Sequence, residues 1–227
     1  MLIQTPMLKP RLKTVVFAIA TFLALTSLAL AQGKRKNKDK HHKDAVRFDV
    51  ALAYSGVFSK TSVATTGSVS LKPTTSGAVL ASFRYHFNHT HGVEVNFSHS
   101  SNSQVFSVPP DSFRVNAGIT ELTAAYVLSP FQTKRIDPFL FAGGGALRFN
   151  PGIQYIDGSQ SSLGAGSQRP LAVLYGAGVD YRLWKALAVR VQYRGLFYKA
   201  PDFRVPSLFT GVNGHMAEPT AGLVIKF

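Results

Sequence analysis

The segment His99-Ser100-Ser101-Asn102 contains residue types that can carry out acyl transfer. A histidine close to a serine can act as general base for the hydroxyl group, which then attacks an ester carbonyl. If the segment is a strand, His99 and Ser101 point to the same face. Such a site also needs an acid that orients the imidazole. The nearest downstream candidate is Glu121, which the strand pattern described below places on the opposite face, so we do not expect an enzyme.

Two other groups of residues lack the partners that ligand sites need. Gly143-Gly144-Gly145 has neither a following helix nor the Lys-Ser/Thr pair of a phosphate-binding loop, so it is better explained as small residues that relieve crowding. His86, His89 and His91 have no set of carboxylates nearby that would complete a metal site. The absence of cysteine excludes disulfides, thiol catalysis and cysteine-based zinc sites. We expect no metal and no cofactor.

Charged side chains recur at alternate positions, opposite apolar ones, along most of the chain. No soluble core would accept that many charges. A narrow barrel can hold them inside as neutralising pairs, while lipid covers the apolar outer face. With six basic and four acidic groups, a narrow anion-selective channel is an alternative to a closed interior. The predicted charge network of the lumen consists of Asp49, Arg84, Glu94, Glu121, Arg148, Asp180, Arg182, Arg190, Arg194 and Lys226.

The elements that position these side chains are strands, because the pattern from Arg47 onward has a period of two. Eight segments show it, and an even count suits a closed bacterial barrel. In the fifth segment the more apolar set, from Phe139 to Phe149, is assigned to the outer face and Arg148 to the lumen. The sequence therefore predicts an all-β fold, an eight-stranded antiparallel up-and-down transmembrane β-barrel. The segments are Phe48–Ser55, Val79–Phe87, Val93–Ser98, Thr120–Leu128, Phe139–Phe149, Leu171–Arg182, Leu187–Arg194 and Ala221–Phe227.

The links between these segments alternate in length. Those after the second, fourth and sixth segments are short, and the others are long and rich in Ser, Thr, Gly and Pro. Short periplasmic turns and long external loops are typical of outer-membrane barrels, with both termini in the periplasm. A soluble sandwich has no reason to sort its loops in this way. The predicted external loops are Ser59–Ser76, Asn102–Phe113, Asn150–Arg169 and Lys199–His215.

The N-terminal part divides into an export signal and a basic segment. Residues 1–31 read as a signal peptide, with an apolar stretch at Val15–Leu30 and the cleavage site Ala29-Leu30-Ala31. An uncleaved membrane helix is the alternative, but the run falls short of the ~20 apolar residues that a span needs. Residues 32–46 are predicted to be a basic, disordered periplasmic tether, and residues 47–227 the barrel. Contact of the tether with anionic headgroups or cell-wall polymer is the alternative.

These features together resemble the small OmpA-type outer-membrane barrels of the porin-like outer membrane beta-barrel domain family. The resemblance covers Arg47 to Phe227 and rests on the leader, the eight strands, the glycine-rich Phe141–Gly145 and the terminal aromatic residue. It implies that the last strand is the signal read by the barrel assembly machinery. That signal would consist of Ala221, Leu223, Ile225 and Phe227.

A second resemblance concerns His99–Asn102 alone. The segment is similar to the H-x-S-N segment of outer-membrane lipid A deacylases, which are eight-stranded barrels with His and Ser on the lipid-facing wall. It implies an esterase in which His99 and Ser101 act on an acyl ester of lipid A. We keep this as a second alternative to a structural or surface-interaction role.

The expected location is the cell outer membrane of a diderm bacterium. The expected partners are outer-membrane lipids, lipopolysaccharide and the barrel assembly machinery. The formal net charge is +14, and part of it is concentrated in the basic block Gly33–Asp44. Such a block would usually suggest a nucleic-acid-binding arm, but an exported protein seldom meets nucleic acid, so none is expected. The barrel is expected to be a monomer.

Overall fold

The computed structural model describes residues 48–64, 67 and 69–227. The predicted signal peptide, 1–31, and tether, 32–46, lie outside the described residues, so both remain predictions. Strands account for nearly all regular structure in the described part, beside one 3₁₀ turn at Pro206–Leu208. Within these ranges no helix has the length and apolar character needed to cross a membrane.

Eight long strands form the wall, and each pairs antiparallel with two neighbours. They are β1 Phe48–Ser59, β4 Ser76–His86, β5 His91–Val108, β6 Asp111–Leu128, β7 Ile136–Ile156, β9 Leu171–Arg182, β10 Leu187–Lys199 and β11 Asn213–Lys226. Three short strands are β2 Ser62–Val63, β3 Ser70–Pro73 and β8 Ser159–Gln160. Because β1 pairs with both β4 and β11, the sheet closes on itself. The predicted eight-stranded antiparallel barrel is confirmed.

Burial alternates along each wall strand, as the period of two predicts. In β1, Asp49 and Ser55 are buried inside, whereas Leu52, Tyr54 and Phe58 are exposed on the outside. The other wall strands except β7 also turn the predicted apolar face outward. An exposed apolar band around a closed sheet suits the hydrocarbon of a bilayer, where no charge can be solvated.

Strand β7 faces the opposite way from the prediction. Phe139 and Phe141 are buried inside the barrel, and Arg148 is exposed on the outer wall. The reason lies on β9, where Gly178 is paired with Phe139 and Gly176 with Phe141. A Cβ atom on Gly178 would lie 2.5 Å from Cζ of Phe139, and one on Gly176 2.3 Å from Cζ of Phe141. The glycines leave the space that the two rings occupy.

The two ends of the barrel differ. The links that follow β4, β6 and β9 are short, and they lie at the same end of the barrel as its first and last residues. There the Phe227 amide donates to the Phe48 carbonyl at 2.9 Å. We call this the turn end and the opposite one the loop end. The predicted loop Asn102–Phe113 is mostly strand, because β5 and β6 stay paired as far as Val108 and Asp111. The outward-facing residues of this segment alternate with the buried residues Gln104 and Phe106, and this alternation is that of a strand.

Candidate functional site

The turn end of the lumen holds an ionic layer centred on Arg190 of β10. Its guanidinium group is buried and contacts three carboxylates from three other strands. Nε donates to Asp180 at 2.7 Å, Nη1 to Glu94 at 3.0 Å and Nη2 to Asp49 at 3.1 Å. Planar guanidinium groups suit such multiple pairing because their donors are fixed in a fork. One cation therefore joins β1, β5 and β9 across the lumen.

The remaining charges of this layer extend the network along the wall. Arg84 contacts Glu94 at 2.7 Å. Lys226 lies 3.0 Å from Asp180 and 3.1 Å from Asp137. Two partly buried side chains, Arg182 and His86, complete the layer. Arg182 pairs with Asp137 and His86 with Asp49, each at 2.9 Å.

A second ionic group lies nearer the middle of the barrel. Arg194 of β10 pairs with Glu218 of β11 at 2.7 Å and with Glu121 of β6. Glu121 also accepts hydrogen bonds from the hydroxyl groups of Ser98 at 2.9 Å and Thr123 at 2.7 Å. A buried charge costs little only when it is paired and hydrogen-bonded. These contacts supply both conditions.

Nine of the ten charged residues predicted for the lumen lie on its inner face, and Arg148 does not. The prediction for Arg148 is wrong because it rested on the inverted face of β7. Sequence reasoning also missed two buried carboxylates, Asp137 and Glu218. Asp137 has the same parity as Phe139, so it signalled which face of β7 is internal. Glu218 lies outside the predicted segment Ala221–Phe227 and next to Pro219, which has no backbone N–H to donate and so weakens the strand pattern there.

The charge balance of the lumen changes with these corrections. The prediction had six basic groups and four acidic ones, an excess of positive charge. The structure has fewer basic groups and more acidic ones. The basic set is Arg84, Arg182, Arg190, Arg194 and Lys226, and the acidic set is Asp49, Glu94, Glu121, Asp137, Asp180 and Glu218.

The loop end of the interior is apolar instead of charged. Phe203 and Leu208, from the loop between β10 and β11, are fully buried there. The Phe203 ring meets those of Phe106 and Phe149 edge-on, at centroid distances of 6.2 and 6.4 Å. Side chains thus fill the interior in two chemically different layers, ionic at the turn end and apolar at the loop end.

The histidines do not assemble the sites considered from the sequence. His99 and Ser101 are exposed on the outer wall, and Nδ1 of His99 lies 3.2 Å from the Thr120 hydroxyl. Glu121 is buried on the other side of the wall. His86 is bonded to Asp49 rather than to its neighbouring histidines. Over the described ranges, no group of three His, Cys, Asp or Glu side chains could hold a metal ion.

The four residues of the predicted assembly signal share the outward face of β11. Ala221 and Leu223 are exposed, and Ile225 and Phe227 are half-buried. Ala221, Leu223 and Ile225 are paired with Tyr54, Leu52 and Val50 of β1. All four therefore lie on the lipid-facing side of the wall, and their role in assembly stays a prediction.

Comparisons with known proteins agree with this architecture. Residues 17–218 match the family described as outer membrane protein beta-barrel domain. Neisserial surface protein A, from Neisseria, is 17% identical, with a TM-score of 0.52 over 79% of this chain and 97% of that one. OprG of Pseudomonas aeruginosa is 14% identical, with a TM-score of 0.53 over 81% and 96% of the two chains. These likenesses show the fold alone.

No curated protein matches the sequence significantly. The family match covers most of the chain, and it agrees with the closed barrel, the apolar outer band and the charged interior. The chain therefore belongs to the outer membrane protein beta-barrel domain family, whose members are proteins of the bacterial outer membrane.

Proposed function

We propose that this protein is a non-conducting outer-membrane barrel that makes surface contacts through its loop end. The observation that carries the proposal is the filled interior. Ion pairs occupy the turn end, and Phe203 and Leu208 occupy the loop end. A barrel of eight strands has an interior that side chains can fill completely. Function is then left to the outer wall and to the loops.

No observation favours the anion-selective channel. An anion path needs cations that are free to attract the ion, but the lumen arginines Arg84, Arg190 and Arg194 are each paired with carboxylates. The acidic groups of the lumen outnumber the basic ones. The apolar layer at the loop end would also have to open, at the cost of exposing Phe203 to water.

The esterase alternative is likewise unsupported. His99 contacts the Thr120 hydroxyl rather than a carboxylate, and the candidate acid Glu121 is bonded inside the lumen. General-base catalysis by histidine needs an orienting group within hydrogen-bond reach.

The loop end offers an ordered and basic surface for contact. The β5–β6 hairpin stays paired up to Val108 and Asp111, and β3 adds to its edge. Besides two arginines on the wall, the described part of the loop end exposes five basic side chains and two aspartates. These are Lys60, Lys72, Arg114, Lys199 and Arg204 against Asp111 and Asp157, and a third aspartate, Asp202, is half-buried. A surface of this charge attracts anionic polymers and cell surfaces.

The orientation in the membrane follows from link length. Outer-membrane barrels place short turns in the periplasm and long connections outside. The three short links lie at the turn end, beside Phe48 and Phe227. We therefore infer that the first and last residues of the barrel, Phe48 and Phe227, face the periplasm and that the loop end faces the exterior.

Planar-bilayer recording tests whether the lumen is closed. Refolded full-length protein should give no discrete openings under conditions in which a general porin conducts. Discrete, voltage-stable openings would contradict the filled interior and favour the channel. Heat-modifiable migration on a gel shows beforehand that the inserted protein is folded.

Cell adhesion tests the role of the loops. A deletion strain is complemented with wild type or with a variant carrying Lys72→Glu, Arg114→Glu, Lys199→Glu and Arg204→Glu. We expect the variant to restore resistance to detergent but not adhesion to an anionic surface. The matched control replaces the same four residues with Arg or Lys, which keeps the charge. Equal adhesion by wild type and the reversed-charge variant would contradict a surface role and leave a structural one.

A further inference from the structure

Four polar side chains form a row across the outer wall near the loop end. His99 of β5 is paired in register with Thr120 of β6, which is paired with Arg148 of β7. Arg169 lies opposite Arg148, because the residues next to them form an isolated antiparallel bridge. Directly paired residues of an antiparallel ladder point to the same face. We call this set the basic row.

The two arginines of the basic row have no counter-ion within the described part of the chain. All three fully buried arginines of the lumen form salt bridges, but neither Arg148 nor Arg169 does. Like charges directly opposite each other destabilise a sheet. The pairing becomes favourable when an anion lies between the guanidinium groups, and phosphate oxygens fit their paired donors.

An apolar groove lies on the same outer face, directly on the turn-end side of the basic row. Its volume is about 550 Å³. Its lining combines small residues of β7 and β9 with large apolar residues of β6 and β9. It is lined by Leu122, Gly145, Ala146, Leu171, Ala172 and Val173.

The row and the groove share β6, β7 and the segment that leads into β9. Thr120 lies two positions from Leu122 of the groove, Arg148 two positions from Ala146, and Arg169 two positions from Leu171. Two residues of a strand span about 7 Å. Leu171 is 80% exposed, the highest value among the large apolar side chains described, and so needs an apolar cover. A ligand with an anionic group and an adjoining hydrocarbon chain could pair with the arginines of the basic row and cover the apolar groove at the same time.

We propose that this wall binds one lipid A-type molecule, with a headgroup phosphate between Arg148 and Arg169 and an acyl chain in the groove. The proposal rests on the proposed orientation, because the loop end then lies in the outer leaflet, where the phosphorylated and acylated lipid is lipopolysaccharide. The Thr120 hydroxyl and the His99 imidazole add hydrogen-bonding groups beside the phosphate. The outward position of His99 thus serves binding rather than ester hydrolysis.

Native mass spectrometry of the folded protein in zwitterionic detergent, with diphosphorylated lipid A as the probe, tests the site. The variant Arg148→Gln/Arg169→Gln removes the cations, and Ala146→Phe fills the groove. The matched control Lys134→Gln/Lys185→Gln removes two exposed charges from the turn end, outside both proposed sites. Because each 1.4 kcal/mol is tenfold in affinity, loss of the charge-assisted bonds should weaken binding about tenfold or more. The control should bind like wild type.

Several outcomes would overturn the assignment. They are equal binding by the double variant, equal binding by Ala146→Phe, equal binding of the lipid without its phosphates, and displacement of lipid A by inorganic phosphate. Preference for phosphatidylglycerol over lipid A would overturn the choice of lipid. Heat-modifiable migration confirms that each variant is folded.

The failure of this inference and of the proposed function can be told apart. Binding in detergent does not depend on the orientation of the barrel, and the adhesion variant leaves Arg148 and Arg169 unchanged. Normal lipid binding with unaltered adhesion would contradict the surface role only. Lost adhesion in the loop variant, with no lipid A bound by wild type, would contradict the lipid site only.

Discussion

The guanidinium carbon of Arg84 lies 4.0 Å from the centroid of the Phe139 ring, on the inner face of the barrel. Arg190 approaches the same ring, with its guanidinium carbon 5.0 Å from the centroid. Phe139 therefore contributes both to apolar packing and to the environment of two lumen cations. Its neighbour Phe141 is also buried and also packs over a glycine of β9, but no cation lies over its ring within the described residues.

Replacing Phe139 should cost more than replacing Phe141. Phe139→Leu and Phe141→Leu remove similar ring volumes, but only the first removes cation–π contacts. A desolvated contact of this kind contributes about 1–2 kcal/mol, so the free energy of unfolding should fall by that much more in Phe139→Leu. Urea unfolding of the refolded barrel in lipid vesicles measures the difference. Equal losses in the two variants would show that the cations do not depend on the ring.

Arg190 should be the most sensitive residue of the lumen. Arg190→Met leaves Asp49, Asp180 and Glu94 without their shared partner. Removing one member of a buried ion pair costs about 3–5 kcal/mol, because the remaining charge stays buried. Arg182→Met is the control, since its side chain is 33% exposed and exposed pairs contribute about 1 kcal/mol or less. Similar unfolding midpoints for the two variants would contradict a central role for Arg190.

Two adjacent glycines of β7, Gly143 and Gly144, should differ in their tolerance of a methyl group. A Cβ atom on Gly143 would lie 2.0 Å from the Ala124 carbonyl oxygen, so the backbone of β6 would have to move. The corresponding distance for Gly144, which faces outward, is 3.0 Å from the Ala172 carbonyl oxygen. Gly143→Ala should lose about 1–3 kcal/mol by overpacking, and Gly144→Ala less. Refolding yields and urea unfolding midpoints of the two variants measure the difference. A larger loss of stability in Gly144→Ala than in Gly143→Ala would contradict the inward placement of Gly143.

The terminal aromatic residue should matter for assembly in cells rather than for stability. The Phe227 amide is bonded to Phe48, and Phe227→Ala keeps this backbone bond while it removes the ring. If the ring is part of the assembly signal, the level of folded protein in outer membranes should fall several-fold. Spontaneous refolding of the purified variant into detergent should be unchanged and serves as the control. Normal levels in cells would show that the signal does not need the ring.

The sequence alone determined the number of wall strands, their antiparallel order and the face of seven of them. Unpaired charge is costly where the wall faces hydrocarbon, so residues such as Glu94, Asp180 and Arg190 mark the inner face of their strands. Arg148 of β7 is the exception, because it lies on the outer face. The alternation of side chains that distinguishes the two faces is a property of each strand by itself, so it can be recognised without knowing which strands are paired with it. The length of the β5 and β6 strands was underestimated, because polar outward residues beyond Asn102 look like a loop.

Only the tertiary structure decided which face of β7 is internal and which charges meet. Both faces of β7 are largely apolar or small, and its two charged residues, Asp137 and Arg148, lie on opposite faces, so the space above Gly176 and Gly178 on β9 decides which face is internal. The partners in the lumen come from distant parts of the chain, as Arg190 and Asp49 do across 141 positions. Closure of the sheet sets these distances. The same closure turns Arg148 outward beside Arg169, where two cations that have no counter-ion among the described residues create the proposed site, which no single stretch of sequence contains.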